Sequence, residues 1–315
     1  MQIRRLDTPA TDASRIQEQL WLLGQPSLSD YVDFVRDHVA GGETIPRHLI
    51  VDLWRTANDH YAKLERKEAG LADEAEILDL PAAMQPAADA LAQQDYYRET
   101  FDRVPTEIAL IQLDRIVASQ RHVTLPFVRN LAAQLSSQPQ GADLFAFCQP
   151  VQRRDAPVEI RRIAEDRFAF MSDSSDMRFH EAALLSPGQI SGHSSFGPVS
   201  GAVGLFVGLG SNFLSVVRWE DRMVLHNGYH RAAALLMAGY THVPAIIQTV
   251  TRRDELELVA SSTVADDPAF YFRAARPPLL KDFFDPQTSI VLPVKKHRRM
   301  IEVSFQIREL SVEEV

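Results

Sequence analysis

The sequence predicts an α+β protein in which a helical segment precedes a mixed α/β core. Three observations carry that expectation. The first hundred residues repeat apolar side chains at helical spacing. From Pro105 onward, short apolar runs alternate with helical ones across glycine- and proline-bearing turns. Near the C-terminus Ile301, Val303, Phe305 and Ile307 alternate with polar residues, the period of a strand with one buried face.

Taken in order, residues 13–23 place Ile16, Leu20 and Leu23 on one helical face, and Gly24 stops the run. Ser29 is the expected cap of a helix bearing Tyr31, Phe34 and Val35, which Gly41 and Gly42 close. Pro46 opens a longer helix whose stripe is Leu49, Ile50, Leu53, Trp54, Ala57, Tyr61 and Leu64. Such a stripe is core packing, while Lys63 to Glu68 mixes both charge signs and marks an exposed surface. Alanine-rich helices follow from Ala72 to Phe101, interrupted at Pro81 and Pro86. Residues 1–103 are therefore expected to form a helical N-terminal subdomain.

Pro105 to Leu135 reads as a strand, a loop carrying Gln120, and a helix. An insertion over about residues 142–212 contains β-like runs at Leu144 to Phe147 and Arg167 to Met171, with the charged run Arg153 to Arg162 between them. Ser172 to Asp176 is a polar loop with two carboxylates, readable as an oxygen-ligand cation site or as a solvated turn. Gly188 to Gly210 is glycine- and serine-rich, readable as a cover over a ligand or as a plain connector. It lacks the Gly-Lys-Ser/Thr of a Walker loop. Leu214 to Leu225 reads as a hairpin turning at Glu220 and Asp221. The extension 251–315 reads as a helix, a loop with Pro277 and Pro278, and strands at Ser289 to Val294 and Ile301 to Ile307, a closing hairpin or a sheet extension.

A formal charge of −9 argues against broad electrostatic capture of nucleic acid or anionic membrane. The run Lys295 to Arg299 remains as a local patch for weak nucleic-acid contact, or as an ordinary charged turn. A lone cysteine, Cys148, excludes an internal disulfide framework and fits a reducing compartment. The first twenty residues lack an apolar signal core, and no apolar run reaches membrane-span length. A cytoplasmic location, without membrane partners, is the expectation.

Val224 to Gln248 carries the sharpest chemical signal. It reads as strand, glycine turn, helix and strand, with Gly228, Arg231 and Ala234 spaced as G-x-x-R-x-x-A. Glycine at the turn lets backbone approach a ligand, and the following helix start offers N–H groups and a positive dipole end. Arg231 adds a planar donor fork suited to phosphate or carboxylate. Its alternative role is to pair with a buried carboxylate, with Tyr229 packing in the core. His226, His230 and His242 are close in sequence but diverge across the turn, so no metal site is assigned to them.

This stretch resembles the second box of the ParB/sulfiredoxin-like superfamily, and Pro105 to Leu135 resembles its opening segment. The resemblance spans roughly residues 104–250 and implies a ParB/sulfiredoxin-like domain interrupted by the insertion. It implies Gln120, Asn227, Gly228, Tyr229, His230 and Arg231 as ligand-binding residues. It also implies a nucleotide triphosphate, with or without Mg2+, or another phosphorylated small molecule as ligand. Members include CTP-hydrolysing partition proteins, sulfiredoxins, a free-serine kinase and nucleases, so the fold names a phosphate site more firmly than a reaction.

The implied function is a nucleotide- or phosphate-binding protein, as an NTP-dependent switch or an NTPase. A protein partner would be met through the helical N-terminal region. The alternatives are a small-molecule kinase or nuclease on the same fold, or a non-catalytic interaction protein. Sulfiredoxin chemistry needs a cysteine where this chain has Tyr229. Asn227 stands where many relatives carry an acidic residue. No recognition-helix pattern follows residue 250, so a DNA-partition role ranks lower. Glu107, Glu181, Glu220 and Asp221 are candidate acids or bases that spacing alone does not place.

Overall fold

The computed structural model describes residues 4–5, 13–24, 27–151, 157–174, 176–192 and 197–311. In chain order the first elements are β1 (Ile16–Leu22), α1 (Leu28–His38), α2 (Arg47–Glu68), β2 (Ile77–Leu78), α3 (Gln85–Ala92) and α4 (Asp95–Thr100). Next come β3 (Thr106–Gln112), β4 (Val117–Ala118), β5 (His122–Thr124), α5 (Leu125–Gln134) and α6 (Gly141–Cys148). Four strands follow, β6 (Glu159–Ala164), β7 (Arg167–Ser172), β8 (Met177–Leu185) and β9 (Ala202–Leu209). Then come β10 (Ser215–Trp219), β11 (Arg222–Asn227), α7 (Tyr229–Met237) and β12 (His242–Val250). The chain continues through α8 (Arg253–Val259), α9 (Ser262–Asp266), α10 (Pro268–Arg273), β13 (Ser289–Lys295) and β14 (Arg299–Ser304). This mixture of helices and sheets is of the α+β class.

Contacts divide the chain into two compact units, Met1–Gln152 with Asn212–Lys296, and Arg153–Ser211 with His297–Val315. In the larger, a six-stranded mixed sheet runs β2-β3-β12-β10-β11-β4. β4 lies parallel to β11 and β10 parallel to β12, while the remaining neighbours are antiparallel. Ile111, Val216, Leu225, Ala233 and Ile246 are fully or almost fully buried in its core. A second sheet, β13-β1-β5, is antiparallel throughout. In the smaller unit β14, β7 and β6 form one antiparallel sheet, and β8 and β9 form a two-stranded ribbon.

The structure corrects several local expectations. Residues 16–22 are a strand, not a helix, because Leu20 to Leu23 are buried in succession between β13 and β5. A run buried on both faces shows no period of two, so its spacing mimics a helix. Residues 144–147 belong to helix α6, not to a strand. β13 and β14 do not form a hairpin, since β13 pairs with β1 and β14 with β7. The glycine-rich stretch contains the regular strand β9, and residues 193–196 within it lie outside the described part. Part of the charged run 153–162 also lies outside it. The cap of α1 is Ser27, which accepts from the Asp30 N–H, rather than Ser29.

Residues 1–103 do not separate as a unit of their own. Besides supplying β1 and β2, they are tied in by Asp73, which takes a two-pronged ion pair from buried Arg222. Glu68 at the end of α2 bonds both Arg276 and Lys281, and Arg276 is also paired with buried Asp282. Among the described residues, no helix is long and apolar enough to cross a membrane.

Candidate functional site

The G-x-x-R-x-x-A stretch folds as its residues dictate. β11 ends at Asn227, Gly228 turns the chain at φ +89°, and α7 begins at Tyr229. A Cβ on Gly228 would lie 3.1 Å from the Leu214 Cα, so both the left-handed backbone and the close approach require glycine. The Asn227 side chain accepts from the Gly228 N–H at 2.8 Å, and Gly228 itself caps the helix without a side-chain bond.

Because β4 is parallel to β11, their C-terminal ends bring Ser119 to Arg121 to the same sheet edge as this turn. Tyr229 reaches across, its hydroxyl donating to the Leu225 carbonyl at 2.6 Å and accepting from the Ser119 N–H at 2.8 Å. Burial pushes that phenol up to about 12, against the lowering effect of its Ser119 and Gln120 bonds. The tyrosine is thus a fastener between loop and helix. Gln120 donates to the His122 carbonyl and steadies the same loop. Arg121 is exposed, a cation at this edge that the sequence reading passed over.

His230 points toward α5. Its Nε2 accepts from the Thr124 N–H at 2.9 Å, which fixes the neutral ring's proton on the other nitrogen. Phe127 meets the ring edge-on, with centroids 5.2 Å apart. Burial first, then the neighbouring His122 and Arg231, lower His230 to about 4. His122 is lowered to about 4 by burial, and its ring stacks on Trp21 at 4.7 Å.

Arg231 departs from the expected outward fork. One guanidinium nitrogen donates to the carbonyls of Cys148 (3.2 Å) and Asn212 (2.9 Å), and the other to the Asn212 Oδ1 (2.9 Å). These acceptors are neutral, so the expected alternative of a buried carboxylate partner is not met either. Burial lowers the arginine from its usual range, although it remains a cation. Cys148 and Asn212 are the points where the chain leaves for the insertion and returns, partners that no local motif could reveal. The thiol of Cys148 is wholly buried, and burial pushes it up to about 12, which opposes the thiolate a nucleophile needs.

His242 bonds Glu76 at 3.1 Å, whereas His230 bonds Thr124 at the end of β5. His226 lines a shallow surface crease with Val224, Ser261 and Val264. Among the described residues, no group of three or more His, Cys, Asp or Glu is placed to hold a metal. In the loop 172–176, Asp173 pairs with Arg298 and Asp176 with Arg178, while Ser175 lies outside the described residues. In the basic run, Lys295 and Lys296 donate to the carbonyls of Asp37 and Ser14, and Arg298 pairs with Glu159. Glu107, on β3, is at the edge of an ion pair with Arg218, and Glu181 is on β8 in the smaller unit.

Comparison with models of protein families, with curated proteins and with solved structures gave no match to this chain.

Proposed function

We propose that the protein binds a phosphorylated ligand, a nucleotide triphosphate in the leading reading, at the Gly228 turn and the start of α7. The observation that carries this reading is the buried charge of Arg231. Its hydrogen-bond partners are all neutral, and it lies one turn inside a helix that starts without a side-chain cap. A buried cation without a counter-ion is costly, and an anion at the helix start offsets both it and the dipole. Exposed Arg121 supplies a cation at the same edge. In this reading Gly228 gives close backbone approach, and Tyr229, His230 and Arg231 position the turn from behind. Ligand-dependent switching of a protein partner, or hydrolysis with Mg2+, would follow from binding.

The rival reading is a non-catalytic interaction protein in which the turn is purely architectural. The inward bonds of Tyr229, His230 and Arg231 favour it. Titration calorimetry with the four common nucleoside triphosphates and with tripolyphosphate, each with and without Mg2+, separates the two. Saturable binding that Arg121→Ala weakens and a backbone-compatible control leaves intact supports the phosphate site. No heat with any of them leaves the architectural reading standing. Turnover of the bound nucleotide would make the protein an enzyme.

A further inference from the structure

We infer that the β8–β9 ribbon is an association surface for a second copy of this chain, formed by antiparallel pairing of β9 with β9 of the other copy. β9 is Ala202-Val203-Gly204-Leu205-Phe206-Val207-Gly208-Leu209, eight residues without charge or proline. Among the described residues its sheet partner is β8 alone, which leaves the second backbone edge open. Proteins normally blunt such an edge with charges, proline or a bulge. β8 carries that protection, with Arg178, His180 and Glu181 and a register shift between Phe179 and Glu181. β9 has none of it.

The faces of the ribbon differ in the same sense. Cross-strand pairing sets Val203 opposite Leu184, Leu205 opposite Ala182, and Val207 opposite Phe179, an entirely apolar face. Leu184 is 86% exposed and Val203 65%. On the other face, side chains fold over the strand's glycines: Leu185 and Phe206 lie over Gly204, and His180 over Gly208.

Two strands alone make a marginal sheet. Pairing two copies about a twofold axis gives four strands, in the order β8-β9-β9-β8, and keeps both apolar faces on one side. The absence of charge on β9 selects the occupant. Laid antiparallel against its own sequence, the strand brings no like charges together, whereas an acidic or basic segment would find no complement.

Sedimentation velocity of the full chain across the micromolar range tests this. The mass should rise from 35.4 kDa toward twice that value with concentration. Val203→Lys with Phe206→Lys should raise the dissociation constant by about tenfold or more, since lysine on an edge strand opposes strand pairing. Val203→Thr with Phe206→Thr, which keeps β-forming side chains, is the second variant and should weaken association with an unchanged circular dichroism spectrum. A wild-type chain that stays monomeric overturns the inference, and so does a monomer that instead floats with phosphatidylcholine vesicles. Association unaffected by either double variant in a folded chain overturns it equally.

Discussion

The guanidinium of Arg231 holds Asn212 twice, through its carbonyl and its Oδ1, each at 2.9 Å. A third bond to the Cys148 carbonyl closes the clamp around the base of the inserted segment. Leu214 reinforces it, donating its N–H to the same Cys148 carbonyl. The residue that the motif offers to a ligand is therefore also the one that fixes where a long excursion of the chain departs and returns.

Arg231→Ala should remove three hydrogen bonds, leaving the Cys148 carbonyl with Leu214 as its remaining donor and releasing Asn212, at a cost of about 0.5–1.5 kcal/mol for each bond lost. Arg231→Lys should recover little, because an ammonium lacks the planar fork that reaches both residues. Urea midpoints measured for the two variants and wild type give the comparison. A folded alanine variant of wild-type stability would show that the clamp contributes nothing.

Gly228 and Gly239 share nearly the same backbone, φ +89° and +88°, but only Gly228 has atoms behind it. Gly239→Ala should cost roughly 1–2 kcal/mol, the penalty of a left-handed residue with a Cβ. Gly228→Ala should cost clearly more, since its methyl would press on the Leu214 backbone. Equal midpoints for the two variants would remove close packing as the reason for glycine at 228.

His122 and His230 are each lowered to about 4 in the fold, against an ordinary value near 6.5. Above pH 6.5 both states hold these rings neutral and the full stability is present. As pH falls from 6.5 to 4 the unfolded chain takes up protons first, so stability is lost, by up to about 1.4 kcal/mol per pH unit for each ring. Denaturation midpoints at pH 7, 6 and 5 should decline accordingly. His230→Gln should flatten the slope, and an unchanged slope would show that the ring titrates normally.

Arg276 and Asp282 are buried together, with Glu68 completing the set. Removing Arg276 strands the buried Asp282 carboxylate, whereas removing Asp282 leaves Arg276 its bonds to Glu68, so Arg276→Ala should cost about 3–5 kcal/mol and Asp282→Ala less. Replacing Arg276 and Asp282 together by apolar residues should cost less than Arg276→Ala alone. A double variant worse than the single would contradict the stranded-charge account.

Cys148 should label slowly with a thiol reagent at neutral pH while the chain is folded, and rapidly in denaturant. Burial raises its thiol to about 12, only partly countered by Arg231. Fast labelling of the folded chain would place the thiol in a very different environment.

The strand–turn–helix–strand around Gly228 was legible because its signals are local. A glycine sits at the turn, a nine-residue helix carries alanine and leucine on its buried side, and apolar strands flank it. The hairpin at Glu220 and Asp221 was legible for the same reason. Elements defined by distant partners were not. Ile16 to Leu22 is a strand because residues 289–295 and 122–124 lie beside it. The run Leu144 to Phe147 is too short and too apolar for its period to separate helix from strand. Side-chain direction at the site was equally hidden, since the acceptors of Arg231 stand at 148 and 212.

The pairing of β1 with β13 has a consequence for synthesis. Translation at 5–20 residues per second delivers β13 roughly 270 residues, and so about 15–50 s, after β1 has been made. Until then, among the described residues, Leu20 and Trp21 have β5 as their one sheet neighbour, and that only once residues 122–124 have been made. Over that interval the nascent chain carries an apolar, half-paired strand, so its tendency to aggregate during synthesis should exceed what its final stability suggests.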